Sequence, residues 1–147
     1  MPPADIRLSR SDEVPAIHRV WRASVDATHG FVAPADVALY EHLLITLYLP
    51  SKPQWLALSP DGTIQGFIGL AGPKIEALFV HPDWHRHGVG KRLIHHALGL
   101  SRHLMVDVNI QNPGAIAFYA ALGFLEIGRS PVDHAGKPYP LIHMAMV

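Results

Sequence analysis

The 147 residues contain no cysteine. Disulfides, cysteine-based zinc sites and a cysteinyl acyl-enzyme are therefore excluded, and any chemistry here must run without a thiol nucleophile. Net charge is lacking as well, because 12 Lys and Arg balance 12 Asp and Glu. That balance gives no electrostatic footprint for nucleic acid or an anionic membrane, so neither partner is expected. Long apolar runs are also missing. The charge-free apolar run near Leu43 to Leu49 falls far short of the roughly 20 residues of a membrane span. The opening MPPADIRLSRSDEV carries acidic residues and no apolar h-region, which argues against a signal peptide and for a cytoplasmic protein. No repeat, linker or low-complexity tract divides the chain, so one domain over residues 1–147 is expected.

What is present is organised around Ile75 to Leu100. A strand-like run, Ile75 to Val80, is closed by His81-Pro82, since proline neither extends a helix nor donates to a central ladder. Gly88-Val89-Gly90 follows, and then a helical pattern whose inward residues are Leu93, Ile94, Ala97, Leu98 and Leu100. Strand, glycine loop and helix together present unpaired backbone amides, and a helix N-terminus favours negative charge. Glycines at 88 and 90 let main chain approach a ligand closely, and Lys91 and Arg92 add positive charge. The pattern points to a phosphate or pyrophosphate cradle, although a tight turn packing helix on sheet also fits it. The spacing is neither the dinucleotide fingerprint nor a P-loop.

The remaining elements read in order. Ile6 to Leu8 form a short strand, and a helix starts near Ser11 and runs to about Thr28. On it Arg22, Asp26 and His29 share a face, which is either solvated or the side of a pocket. The next helix, Pro34 to Leu49, is apolar nearly all round and so is expected to be buried or to cover something. Trp55 to Leu58 and Ile64 to Leu70 form a hairpin about Asp61-Gly62, and Gly72-Pro73 turns into Lys74 to Val80. His103 to Asn109 is a further strand, expected parallel to and beside 75–80 because a helix separates them. Asn112-Pro113 caps a helix that Gly123 closes. Leu125 to Ser130 and Leu141 to Val147 end the chain, joined by the turn-rich loop 132–140.

Strand alternation places Glu76, Leu78 and Val80 on one side and Ile75, Ala77 and Phe79 on the other. A carboxylate in such a strand is costly unless paired or hydrated, and Lys74 or Lys137 could pair it. Asn112 and Tyr119 share a helix face, two turns apart. The pairs His85-x-His87 and His95-His96 lack a carboxylate cluster, so no metal is expected.

The window His85-Arg86-His87-Gly88-Val89-Gly90 resembles the acetyl-CoA loop of the GNAT N-acetyltransferases. That loop reads arginine or glutamine, two residues, glycine, one residue, then glycine or alanine; His85 is the departure. Asn109 to Asn112, Ala115, Phe118-Tyr119 and Gly123-Phe124 resemble the family's second motif. The segments SVDATH, ALFVHP, VNIQN, FYAALGF and VDHAGKPYP are similar to the YjaB-type bacterial group within it. The resemblance implies an α/β fold with a mixed, mostly antiparallel sheet, helices on both faces, and acetyl-CoA in the cleft where parallel strands 75–80 and 104–109 part. It implies cofactor contacts from Leu78, Phe79 and Val80, from His85 through Lys91, and from Asn109 and Asn112. Tyr119 would protonate the departing thiolate, and Glu76 would act as general base through water. The acceptor amine is expected near Asp26, His29 and Tyr139, and transfer would be direct within a ternary complex. A homodimer is compatible with this. The alternative, a non-catalytic acyl-CoA-binding or regulatory module, is disfavoured by the presence of both Glu76 and Tyr119.

Overall fold

The computed structural model describes residues 5–146. Val147, expected to end the last strand, and the first four residues of the N-terminal segment lie outside that range. The strands are β1 (Asp5–Leu8), β2 (Trp55–Leu58), β3 (Ile64–Ala71), β4 (Lys74–Val80), β5 (Met105–Asn109), β6 (Leu125–Ser130) and β7 (Leu141–Ala145). They form one sheet in the order β1-β2-β3-β4-β5-β7-β6. Among the described residues only β4 and β5 run parallel, as expected for two strands joined through a helix.

Helices cover both faces. On one side α1 (Val14–Thr28) lies over the meander, where Ile17, Val20, Trp21 and Val25 pack with Leu56, Phe67 and Ala77. On the other, α4 (Val89–Leu98) and α5 (Pro113–Ala121) bury Leu93, Ile94, Ala97 and Tyr119 against Ile68, Val106, Val108, Ile142 and Met144. The spacing of Leu93, Ile94 and Ala97 marked that face correctly. Leu100, counted with them, lies beyond the end of the helix and is exposed.

The second apolar helix departs from expectation. It runs as α2 (Pro34–Leu43), a π-helical turn over Leu44–Tyr48, and α3 (Leu49–Ser51). The Leu49 amide bonds the Leu44 carbonyl five residues back. Pro50 explains this, since it has no amide to donate and its ring clashes with the carbonyl four residues earlier, so the turn before it widens. The wider turn re-phases the helix, burying Leu44 and Leu49 while Leu43 and Leu47 face solvent. An all-round apolar helix is therefore only half covered here.

The feature that shapes the site is a bulge in β4. Gly69 of β3 lies opposite Ala77 and Leu70 opposite Ile75, leaving Glu76 with no partner. A bulge bends and twists its strand. β4 pairs with β5 only at Lys74↔Met105 and Ile75↔Val106, and the strands part where the bulge begins. The bulge also corrects the expected alternation. Ile75 packs with Leu78 and Val80 under α4 and α5, while Ala77 and Phe79 lie on the α1 side. Glu76 turns toward Tyr48 and Lys52 on the α1 side, away from Leu78 and Val80.

Candidate active site

Where β4 leaves β5, its edge is unpaired. The His81 amide bonds Gln65 of β3, so by alternation the main-chain groups of Leu78 and Val80 face the open cleft. His85 closes the end of this edge, its Nε2 donating to the Val80 carbonyl at 2.8 Å. The residue standing where the family carries arginine or glutamine thus buttresses the strand.

Above this edge lies a cavity of about 520 Å³. Leu78, Phe79, Val80, His85, Arg86, Gly88, Val89, Gly90, Lys91 and Asn112 all line it, together with Tyr119. Of the remaining residues expected at the cofactor, His87 lies outside it, its amide bonded to the Trp84 carbonyl at 3.3 Å. Asn109 sits deeper, lining the cleft and the recess beyond it, with a buried Oδ1 that has no partner among the described residues. Ser24, Trp84 and Phe118 also line the cavity. From sequence, no cofactor contact is expected of these three.

The two loop glycines have different reasons to be there. Gly88 caps α4 at φ 77°, a left-handed conformation that an L side chain adopts only with strain. The amides of Val89, Gly90 and Lys91 that follow have no intrahelical partner and open toward the cavity. At Gly90 a Cβ would stand 3.1 Å from the Phe118 ring, so this glycine lets α4 and α5 approach each other. The cradle fits an anionic pyrophosphate through its free amides, its dipole and Lys91.

Tyr119 lines both the cavity and a cleft of about 170 Å³ between β4 and β5. Its ring is held edge-on by Phe118 and Phe124, each 5.1 Å away. Burial raises its pKa well above the usual phenol value, so the hydroxyl keeps its proton at neutral pH. Asn112 shares the cleft and caps α5, Oδ1 accepting from the Ala115 amide at 3.1 Å.

Glu76 lines the same cleft. Its carboxylate lies 3.5 Å from the Tyr48 hydroxyl and 3.9 Å from Lys52 Nζ. Neither lysine named from sequence is its partner. Lys74 bonds Asp107 at 2.6 Å, and Lys137 reaches Asp36 at 3.5 Å. Burial also raises the pKa of Tyr48, to about 12, so the hydroxyl beside Glu76 stays neutral.

A recess of about 220 Å³ opens on the α1 side of the cleft. Trp21, Val25, Val32 and Val37 form its apolar sides, and Tyr40, Asn109, Asp133 and Tyr139 supply polar groups. The Tyr139 hydroxyl donates to Asp36 at 2.5 Å and accepts from the Ala33 amide at 2.9 Å, latching loop 132–140 onto the start of α2. Asp133 takes the Tyr40 hydroxyl and the amides of Ala135 and Lys137, which orders the loop. His29 and Tyr139 both line this recess; Asp26 lines an adjoining one of about 200 Å³ and pairs with Arg22 at 3.1 Å. Of the metal-like histidine pairs, His85 bonds Val80, and the His96 ring lies 4.3 Å from that of Trp55, tilted by 57°.

Beside the cleft, Asp107 gathers Lys74 at 2.6 Å, His143 at 2.6 Å and His134 at 2.8 Å. His143 passes the chain on to Ser130 at 2.6 Å. Nothing in the sequence spacing indicated this cluster, which joins five separate segments.

Comparison with known proteins agrees with this geometry. The model of the acetyltransferase (GNAT) family matches residues 17–124. Peptidyl-lysine N-acetyltransferase YjaB of Salmonella typhimurium is 44% identical over 95% of this chain and 96% of its own. Peptidyl-lysine N-acetyltransferase YiaC of Escherichia coli is 33% identical over 81% of this chain and 82% of its own. The solution structure of apo-form YjaB from Escherichia coli superposes with a TM-score of 0.91 at 41% identity, covering 97% of each chain. A mixed sheet splayed at its one parallel pair, a glycine loop at the N-terminus of α4 and a match across most of the chain lead to one assignment: this protein belongs to the GNAT family of acetyltransferases.

Proposed function

We propose that the protein transfers the acetyl group of acetyl-CoA to the side-chain amine of a peptide lysine, with small-molecule amines as the alternative acceptors. The observation that carries this is the position of Tyr119, in the side shared by the cofactor cavity and the cleft. The pyrophosphate would rest on the amides of Val89 to Lys91, and pantetheine along Leu78 and Val80. The apolar sides of the 220 Å³ recess suit the methylene stem of a lysine, a substrate class that the names of the YjaB and YiaC relatives support.

An amine of pKa ~10.4 arrives protonated, so it must lose a proton before it can attack. Glu76, on the cleft, would draw that proton away through water. The free amine then attacks the thioester carbonyl, and Tyr119 donates to the departing sulfur. With no cysteine in the chain, transfer is direct in a ternary complex, and orientation of the two substrates supplies much of the rate.

The test is acetyl-CoA turnover with lysine peptides and small amines. Tyr119→Phe should lower kcat by roughly 10²-fold with little change in acetyl-CoA affinity. Glu76→Gln should be most impaired at neutral pH and recover as pH rises toward the pKa of the amine. Binding of acetyl-CoA without turnover of any amine would leave the non-catalytic module instead.

A further inference from the structure

Two protons leave the acceptor nitrogen during acetyl transfer, one before attack and one as the C–N bond forms. Glu76, reached through water, accounts for the first. The second is released where the acceptor recess meets the cofactor cavity. His29 is the one titratable side chain that lines the recess, the cleft and the cavity together.

Local structure fixes which nitrogen of His29 carries hydrogen. His29 is the C-cap of α1, its amide bonded to the Val25 carbonyl. The Thr28 hydroxyl donates its only hydrogen to the Ser24 carbonyl at 2.8 Å. Thr28 Oγ1 also lies 2.7 Å from His29 Nδ1, so in that contact it must accept. The proton therefore sits on Nδ1, and the lone pair is on Nε2. Phe31 and Phe79, at 5.5 and 6.2 Å, flank the ring.

From this placement, and resting on the acetyl-transfer reading above, we infer that His29 Nε2 accepts the second proton of the attacking amine.

The step balances without a further reactant. The nitrogen lone pair bonds the carbonyl carbon, the carbonyl π pair moves to oxygen, and the N–H proton passes to Nε2. The oxyanion then collapses, the C–S bond breaks, and the sulfur takes its proton from Tyr119. Solvent returns the proton from His29 to Tyr119, so the reaction releases one proton net, the one first taken from the ammonium.

The surroundings keep the imidazole a free base. Burial lowers its pKa from the ordinary value. The anions facing it are engaged elsewhere: Asp26 by Arg22, Glu76 by Lys52, Asp107 by Lys74, and Asp133 by Tyr40. The cavity side carries Tyr119, held neutral, with His85, Arg86 and Lys91, and the recess adds Tyr139, bound to Asp36. None of these is an unpaired anion that would hold a proton on the ring.

His29→Asn separates this role from packing, because its amide can still donate to Thr28 Oγ1 but has no base at the Nε2 position. The expected result is kcat about 10²-fold lower, with KM for both substrates within about threefold. The wild-type acid limb of kcat, with its midpoint below ~6.5, should flatten in the variant. Nitrogen-15 NMR of the free wild-type protein should show the Nδ1–H tautomer, neutral at pH 7. A variant with undiminished kcat, one retaining the wild-type acid limb, or an Nε2–H tautomer would each overturn the inference. Failure of the wild type to acetylate any amine, with the expected tautomer present, would instead overturn the acetyl-transfer reading and the proton role with it.

Discussion

Replacing Asp107 with asparagine tests how the cleft is held open at a fixed place. Asp107 stands on β5 just past the last residue paired with β4, its carboxylate 8% exposed. It bonds Lys74 across that junction at 2.6 Å and His143 on β7 at 2.6 Å. Asparagine keeps the shape but loses the charge, so each charge-assisted bond falls toward a neutral one. Hydrogen bonds to charged groups contribute about 1.5–3 kcal/mol and neutral ones about 1 kcal/mol. The Lys74 head is 34% exposed and the His134 ring 76% exposed, which places their contributions at the low end. The expected loss is about 2 kcal/mol, or about 4–8 °C in Tm for a chain of this size. Its pH dependence has a definite sign. Burial works to raise the Asp107 pKa, but Lys74 and His143 outweigh it and the folded value is lowered. A group depressed on folding stabilises above its unfolded pKa, near ~3.9, and ceases to as pH falls through the folded value. The Tm gap between wild type and Asp107→Asn should therefore be constant from pH 8 to 5 and close below about pH 4. Acetyl-CoA KM should rise in the variant, because the clip sits where the strands part. Thermal denaturation from pH 3 to 8 decides the matter. A gap under about 2 °C at pH 7, or one that persists unchanged at pH 3, would refute the reasoning.

Gly90→Ala should press on the Phe118 ring and tilt it into the cofactor cavity. Stability should then change by no more than about 1 kcal/mol, since helix propensity offsets the crowding, while calorimetry should show several-fold weaker acetyl-CoA binding. Gly69→Ala is expected to be far worse, by about 3 kcal/mol in urea denaturation, because its Cβ would collide with Tyr48 and the fully buried Gln54. Tyr139→Phe unlatches loop 132–140 from Asp36 and Ala33. Steady-state kinetics should show acceptor KM raised several-fold and acetyl-CoA KM unchanged; the reverse pattern would move the acceptor site elsewhere.

The sequence by itself determined the elements and their order. The 3.6-residue spacing of Leu93, Ile94 and Ala97, the Asn112-Pro113 cap and the Asp61-Gly62 turn are local signals, and each formed as read. The parallel pairing of β4 with β5 followed from the helix between them, and the glycine loop does line the 520 Å³ cavity. Tertiary structure alone decided the rest. The bulge at Glu76 depends on how β4 registers against β3, so it inverted an alternation that counting in twos cannot see. The π-turn before Pro50 re-phased a helix whose apolar residues gave no single stripe. Gly90 proved to be a packing contact with Phe118, a residue 28 positions away, and Asp107 gathers partners from three other segments. His29 shows the same limit. Its place on one helix face was legible, but the tautomer is set by Thr28 and Ser24, and its position between three recesses exists only once β4 and β5 have parted. Local pattern follows chain spacing, whereas pairing, protonation and cavity shape depend on groups that only folding brings together.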